Sequence, residues 1–236
     1  TPVDLDRDFP EGRFVPRRSV QLAGGTELNS LRWASSGLLL ATGFVSDGLF
    51  AVYDSSGRQL PSRGAWNFGD ARLSTFVRQQ AYPTKIAIDA SLSRIALATG
   101  YSDRVEFFEA SGRRIGVAER PFGFEPVFVV TGKGANQFIA SPPDMRDGYV
   151  GIRVSDSRVY ALFSGRRYGD FKARASFARH VHVYSWTGRL LAVLALDADV
   201  LDIAIDADER WLYAVKHDPF PGVVAYSIPA TVSRMR

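Results

Sequence analysis

The chain has 236 residues, 46% of them hydrophobic, which is enough for one large domain or two small ones with a substantial core. Its 29 Lys and Arg exceed its 25 Asp and Glu to give a net charge of +4, and the basic residues are scattered along the chain, which argues against nucleic-acid binding. It has no cysteine, which excludes disulfides and thiolate chemistry, and no apolar run reaches the about 18 residues of a membrane span.

The first 30 residues are predicted to form an N-terminal arm. This arm contains one short strand, Ser19–Leu22, that belongs to no repeated unit. The chain starts with Thr1 and not with Met, a start that signal removal or trimming would give, and we favour an exported, periplasmic protein. Residues 31–229 are predicted to form one β-propeller domain, and residues 230–236 a C-terminal tail.

A strand, a polar turn and a second apolar strand recur four times along the chain. The four copies are LRWASSGLLLAT from Leu31, IAIDASLSRIALAT from Ile86, IRVSDSRVYALFS from Ile152 and IAIDADERWLYAV from Ile203. Alternation of apolar and polar residues with period two indicates strands, and clusters of Asp, Ser and Gly indicate turns. Asp206 and Asp208 lie in such a turn, where we interpret aspartate as a structural residue and not as a calcium ligand.

Each copy is followed by a further strand, and three copies by two. The third strands are Leu49–Tyr53, Val105–Phe108, Val181–Ser185 and Val223–Ser227. In the first three units a Gly-Arg turn then leads to a fourth strand, with the turn glycines at Gly57, Gly112 and Gly188. A tight hairpin needs glycine where the backbone takes positive φ.

Two segments lie outside this pattern. Residues 69–83 are predicted to be a short helix, or a loop ending at Pro83. Residues 119–147 hold a further hairpin, with strands at Val127–Val130 and Gln137–Ala140, which we interpret as a reduced fifth blade.

Four antiparallel strands per unit predict an all-β fold, a β-propeller of four-stranded blades. At about 40–45 residues per blade the length fits five to six blades, some of them abbreviated. A β-sandwich is the alternative. The last unit lacks a fourth strand, so we predict that the strand Ser19–Leu22 pairs with Val223–Ser227, which would close the ring and protect its edges.

The repeated segments resemble the TolB-like six-bladed β-propeller family of exported bacterial proteins. The resemblance rests on stretches such as LLLATGFVSDGLFAVYDSSGR, YVGIRVSDSRVYALFSGR, VHVYSWTGRLLAVLALD and VLDIAIDADERWLYAVKHDPFPGVVAYSIP. It implies a scaffold for binding or interaction without a shared active site. The chain is short for six complete blades, which leaves a truncated form, a lost blade, or a subunit completed by its partner.

No catalytic residue, cofactor or metal site is predicted. The sequence has no G-x-S-x-G, Walker or H-E-x-x-H motif. His180 and His182 project the same way from one strand, and Asp170 and His217 are predicted on one loop face. A metal site needs a third and usually a fourth ligand, so we interpret these residues as structural.

The long loop Ser164–Arg179 is the strongest candidate interface because arginine and aromatic residues are enriched at protein interfaces. Loops between second and third strands and linkers between units should share one face of a propeller. The predicted partner-binding residues are Arg166, Arg167, Tyr168, Phe171, Lys172, Arg174, Phe177 and Arg179 of that loop, with Trp66, Phe68, Phe122, Phe124, Tyr101, Arg104, His217 and Phe220 elsewhere on this face.

The leading hypothesis is a non-catalytic interaction or assembly module, an exported accessory subunit that binds a protein partner through this loop face. The partner would belong to a larger, membrane-associated complex. This chain is predicted to have no transmembrane segment of its own and to bind no nucleic acid. Two alternatives stay open. One is a hydrolase or lactonase with a central metal, and the other is a small-ligand or glycan binder using Trp66, Trp186 and Tyr101.

Overall fold

The computed structural model describes residues 20–24, 27–34, 37–45 and 47–234, and it describes no side chain for residues 135, 233 and 234. The first two repeated units each form one four-stranded antiparallel sheet whose strands follow chain order. The first sheet holds β1 (Leu28–Trp33), β2 (Leu39–Gly43), β3 (Phe50–Tyr53) and β4 (Gln59–Arg63). The second sheet holds β5 (Thr84–Ile88), β6 (Arg94–Thr99), β7 (Val105–Glu109) and β8 (Arg114–Val117).

The tight turns that the sequence predicts within the four units are present in the structure. Gly57, Gly112 and Gly188 have φ of 87°, 91° and 91°, in the region that favours glycine. The carboxylate of Asp206 accepts the backbone N–H groups of Arg210 and Trp211, both at 2.7 Å, which confirms aspartate as the residue that holds its own turn.

The third and fourth units share one six-stranded sheet, the third sheet, which the sequence does not reveal. Its strands are β11 (Tyr149–Val154), β12 (Arg158–Phe163), β13 (Ala178–Ser185), β14 (Leu190–Ile205), β15 (Trp211–Lys216) and β16 (Gly222–Ser227). The first half of β14 pairs with β13 and its second half with β15, so one strand serves both units. No glycine or proline interrupts residues 190–205, so nothing forces the chain to turn there.

The sheets stack face to face through apolar side chains. Phe50 of the first sheet packs with Ile86 and Phe108 of the second sheet. The other face of the second sheet, with Phe107, packs on Phe163 of the third sheet. The third sheet curls, so that side chains of β12 and β13 meet those of β14 and β15 in one core cluster. The prediction of an all-β chain with repeated four-stranded antiparallel sheets is confirmed.

The first strand of each unit faces a common centre. Strand β5 contacts both β1 and β11, and β11 contacts β14. This arrangement brings residues from distant parts of the sequence to one place.

Helices and a hairpin fill the connections. The predicted short helix is α1 (Thr75–Ala81), with the Ser74 hydroxyl accepting the Val77 N–H at 3.3 Å as an N-cap. The predicted hairpin forms a separate two-stranded sheet of β9 (Val129–Thr131) and β10 (Phe138–Ala140). Two short helices follow, α2 (Tyr168–Phe171) and α3 (Ala230–Arg234). None of the helices in the described part of the chain is long and apolar enough to cross a membrane.

The predicted pairing of the N-terminal strand with β16 is wrong for Val20–Leu22, and Ser19 lies outside the described residues. Residues 20–22 form no strand; Val20 and Leu22 pack on the apolar cluster of the first sheet that contains Tyr53. The N–H of Ala23 donates to the carbonyl of Gly57 at 2.9 Å. The segment therefore covers apolar surface close to it in the chain instead of crossing to the last strand.

Candidate functional site

A central cavity of about 340 Å³ lies where the first strands of the units meet. Its lining comes from all four units, from α1's connection to β5, and from the loops around β6 and β11. The lining residues are Asn29, Pro83, Thr84, Lys85, Gly100, Tyr101, Asp147, Tyr149, Val150, Ser176 and Leu201. Of these lining residues, only Tyr101 is among those that the sequence predicts to bind a partner or ligand.

Two opposite charges line this cavity without neutralising each other. Within the described residues, the side chains of Lys85 and Asp147 make no hydrogen bond or ion pair. Burial raises the pKa of Asp147 to about 6. Burial, and the charge of Asp147, raise the pKa of Tyr101. The cavity therefore presents an acid and a base that the fold leaves available.

The backbone around Asp147 is held firmly. Its N–H donates to the carbonyl of Arg166 at 3.0 Å, and its carbonyl accepts the N–H of Gly165 at 2.8 Å. At Gly148 a Cβ would lie 1.9 Å from the carbonyl oxygen of Ser102, so only glycine fits. This close approach fixes the position of Asp147 beside the loop that carries Tyr101.

The predicted basic loop is folded back on β14 and is not a free cationic arm. Arg166 donates to both carboxylate oxygens of Asp199, at 3.0 and 2.5 Å, and Arg179 pairs with the same carboxylate. The hydrogen bonds from Arg166 and Arg179 outweigh burial and lower the pKa of Asp199 to about 2. Arg166 also lies over the ring of Phe171, 4.8 Å from its centroid.

The distal part of the loop contacts the β15–β16 connection. Arg174 pairs with Asp218, and the ring of Phe177 lies 6.2 Å from that of His217. Phe220, in the same connection, is 77% exposed.

The remaining residues of the loop are on its outer surface. Arg167 is exposed, while Tyr168 and Lys172 line a hollow of about 200 Å³ that adjoins the central cavity and also contains Tyr101 and Asp147.

Trp66, Phe68 and Arg104 are half-buried packing residues between the first two sheets. The Trp66 indole N–H donates to the carbonyl of Gly48 at 2.9 Å, and its ring centroid is 5.0 Å from that of Phe68. Arg104 lies over Phe68 at 4.4 Å and pairs with Glu106 at 3.0 Å. These contacts occupy much of the three side chains.

The linker that carries Phe122 and Phe124 is pinned by a buried carboxylate. Asp103 accepts the N–H groups of Phe122 and Gly123 at 2.8 and 2.7 Å, and pairs with Arg120 at 2.9 Å. Phe122 stacks on Phe163 with centroids 5.1 Å apart, and Phe124 packs on the same core cluster.

The histidines do not form a metal centre. Within the described residues there is no group of three His, Cys, Asp or Glu side chains placed to hold a metal ion. His182 is only 1% exposed; its Nδ1 lies 2.9 Å from the hydroxyl of Tyr149 and its ring stacks on Phe163. Burial, and next the charge of His180, lower its pKa to about 4. His182 is a neutral core residue.

An exposed apolar surface on β15 and β16, here called the open face, is not predicted from the sequence. It consists of Trp211, Tyr213, Val215, Val223 and Ala225, all exposed. The register pairs Tyr213 with Ala225 and Val215 with Val223, so these side chains lie on one side of the sheet. All residues of the segment WLYAV (211–215) are apolar, so both sides of this strand look suited to burial. The sequence alone therefore does not show that one side is uncovered.

Comparison with known proteins gives the fold and no family. No family model and no curated protein matches the chain. It is similar to the computationally designed Ika4 protein, with 11% identity, a TM-score of 0.52, and coverage of 91% of this chain and 100% of that one. It is also similar to hydrazine synthase of Kuenenia stuttgartiensis, with 9% identity, a TM-score of 0.51, and coverage of 86% of this chain and 52% of that one. A chain of a nidogen/laminin complex is similar with 13% identity, a TM-score of 0.55, and coverage of 96% of this chain and 70% of that one.

Proposed function

We propose that the chain is a non-catalytic, TolB-like β-propeller that acts as an exported assembly module. Its four units would be blades and the β9–β10 hairpin a reduced fifth blade, in a ring of five to six blades. The ring would be completed by a protein partner. The support is the repetition of antiparallel units around a common centre, together with the sequence resemblance.

The open face carries this proposal. The opposite side of the same strand is covered: Leu212 and Ala214 of β15 are 1% and 0% exposed. On the open face, Trp211 and Tyr213 are 42% and 41% exposed and Val223 is 70% exposed. A contiguous exposed apolar patch on a rigid sheet is a feature of protein interaction sites. The loop face is a weaker candidate because most of its arginines are paired.

The occupant that fits is a partner protein that presents an apolar face of antiparallel β-sheet. Such a face would continue the contact that already joins the neighbouring sheets of this chain. Within the described residues β16 pairs only with β15, so its second edge offers backbone N–H and C=O groups to a further strand. The absence of charge among the five open-face residues favours an apolar partner over a charged peptide.

The test is photo-crosslinking in the organism that makes the protein. A photoreactive residue is placed at Tyr213 on the open face or, as the matched control, at Phe220 on the loop face. We expect a crosslinked species from position 213 and none from position 220, and we expect Trp211→Lys with Val223→Lys to abolish it while circular dichroism is unchanged.

Three outcomes would overturn the proposal. A crosslink from position 220 alone would assign the partner to the loop face. A product of twice the chain mass would indicate self-association. A lone 26 kDa species from both positions would leave no partner to explain.

A further inference from the structure

We infer that the central cavity binds a small zwitterion of the size of an amino acid or short peptide, with its ammonium group at Asp147 and its anionic group at Lys85. This inference is independent of the proposed assembly function. It concerns the inner strands, whereas the partner surface lies on the outer side of β15 and β16.

The acidic half of the site is a carboxylate that the protein leaves without a counter-ion. Asp147 lines both the central cavity and the adjoining hollow, and within the described residues no side chain donates to it. A half-buried carboxylate without a partner disfavours folding, and unpaired charged groups in clefts mark binding sites. A ligand ammonium would supply the missing donor.

The basic half of the site is Lys85 on β5. Lys85 lines the same cavity as Asp147, yet within the described residues no hydrogen bond or ion pair joins the two side chains. By contrast, Arg153 and Asp202, which line a neighbouring cavity together with Lys85, pair with each other at 2.5 Å. A ligand that carries both an ammonium and an anionic group would neutralise both charges, which share a cavity but do not contact each other.

The rest of the lining sets the size and polarity of the ligand. A volume of about 340 Å³ is at the small end of ligand pockets, which fits a molecule of amino-acid or dipeptide size. Tyr101, Pro83, Val150 and Leu201 supply apolar surface, which favours an apolar or aromatic side chain. Lys172 lines the adjoining hollow and not the central cavity, and it is the alternative to Lys85 as the partner of the anionic group.

The test is calorimetric titration of the purified chain with L-phenylalanine, with phenethylamine, which lacks the carboxylate, and with 3-phenylpropionate, which lacks the ammonium group. We expect the zwitterion to bind at least about tenfold more tightly than either single-charge analogue. Asp147→Asn should weaken L-phenylalanine at least about tenfold and leave 3-phenylpropionate unchanged, and Lys85→Gln should weaken L-phenylalanine and leave phenethylamine unchanged.

Asp144→Asn and Lys133→Gln are the matched controls, because both residues are exposed and outside the cavity. Unchanged binding in these controls is required. The inference is overturned if L-phenylalanine and phenylalanine dipeptides give no heat at millimolar concentration, if the single-charge analogues bind equally well, or if Lys172→Gln and not Lys85→Gln reduces binding. Because no partner protein is present, failure here leaves the assembly proposal untouched.

Discussion

His182 should make the protein lose stability in mild acid. Its ring is buried between Tyr149 and Phe163, and burial lowers its pKa from the ordinary 6.5 to about 4. Between these values the unfolded chain binds a proton at His182 and the folded chain does not. The contribution of His182 to the free energy of unfolding therefore falls as the pH drops from about 6.5 to 4, and the loss is complete below about 4.

The size of the effect follows from the same two values. At about 1.4 kcal/mol per pH unit, a pKa lowered from 6.5 to about 4 corresponds to at most about 3.5 kcal/mol of stability lost in acid. Asp147 acts in the opposite direction, because its pKa is raised to about 6 and the folded chain takes up its proton first. The stability of the native protein should therefore depend only weakly on pH, whereas the stability of a variant that lacks either His182 or Asp147 should depend on pH more steeply.

The assay is urea unfolding at several values between pH 7 and 4.5, followed by tryptophan fluorescence. His182→Asn should make stability rise as the pH falls, and Asp147→Asn should make it fall more steeply than in the native protein. The exposed His217→Gln is the control and should follow the native curve, because His217 does not contribute to the lowered pKa of His182. The slopes are compared and not the absolute stabilities, since either core variant is expected to be less stable overall. An unchanged slope in His182→Asn would refute the assignment of a buried neutral imidazole.

Three further predictions concern single contacts. Glu209→Gln should lower the free energy of unfolding by about 3 kcal/mol, because the buried carboxylate of Glu209 binds Arg158 and Tyr160 of the neighbouring unit. Asp208→Asn removes the exposed ion pair with Arg210 and should change the free energy of unfolding by less than about 1 kcal/mol; urea denaturation measures both variants. Gly148→Ala should cost several times more stability than Gly116→Ala, since an added Cβ lies 1.9 Å from a carbonyl oxygen at the first position and meets nothing within 4 Å at the second; equal midpoints in thermal unfolding would contradict this. Asp199→Asn should release two arginines of the 164–179 loop and speed trypsin cleavage there, and an unchanged cleavage rate would show that the loop is held by other contacts.

Local features were predictable because their causes are local. The hairpin glycines, the aspartate turns and the helix at Thr75–Ala81 depend on residues a few positions apart.

Other features depend on residues far apart in the chain. Arg166 was predicted only as a partner-binding residue of the 164–179 loop, and the sequence did not show that it pairs with Asp199, which lies on another strand of the third sheet. Trp66 and Phe68 looked like exposed linker aromatics, yet Tyr82 and the loop at Gly48 cover them in the fold.

By itself, the sequence determined the strands, their antiparallel order within each unit and the turns that join them, because period-two alternation and turn chemistry act over short distances. Only the tertiary structure decided that one 16-residue strand serves two units, that one apolar face is left uncovered, and that Lys85 and Asp147 share a cavity. Those outcomes depend on how whole sheets stack, and the stacking is set by the shapes of packed faces that no short stretch of the chain contains.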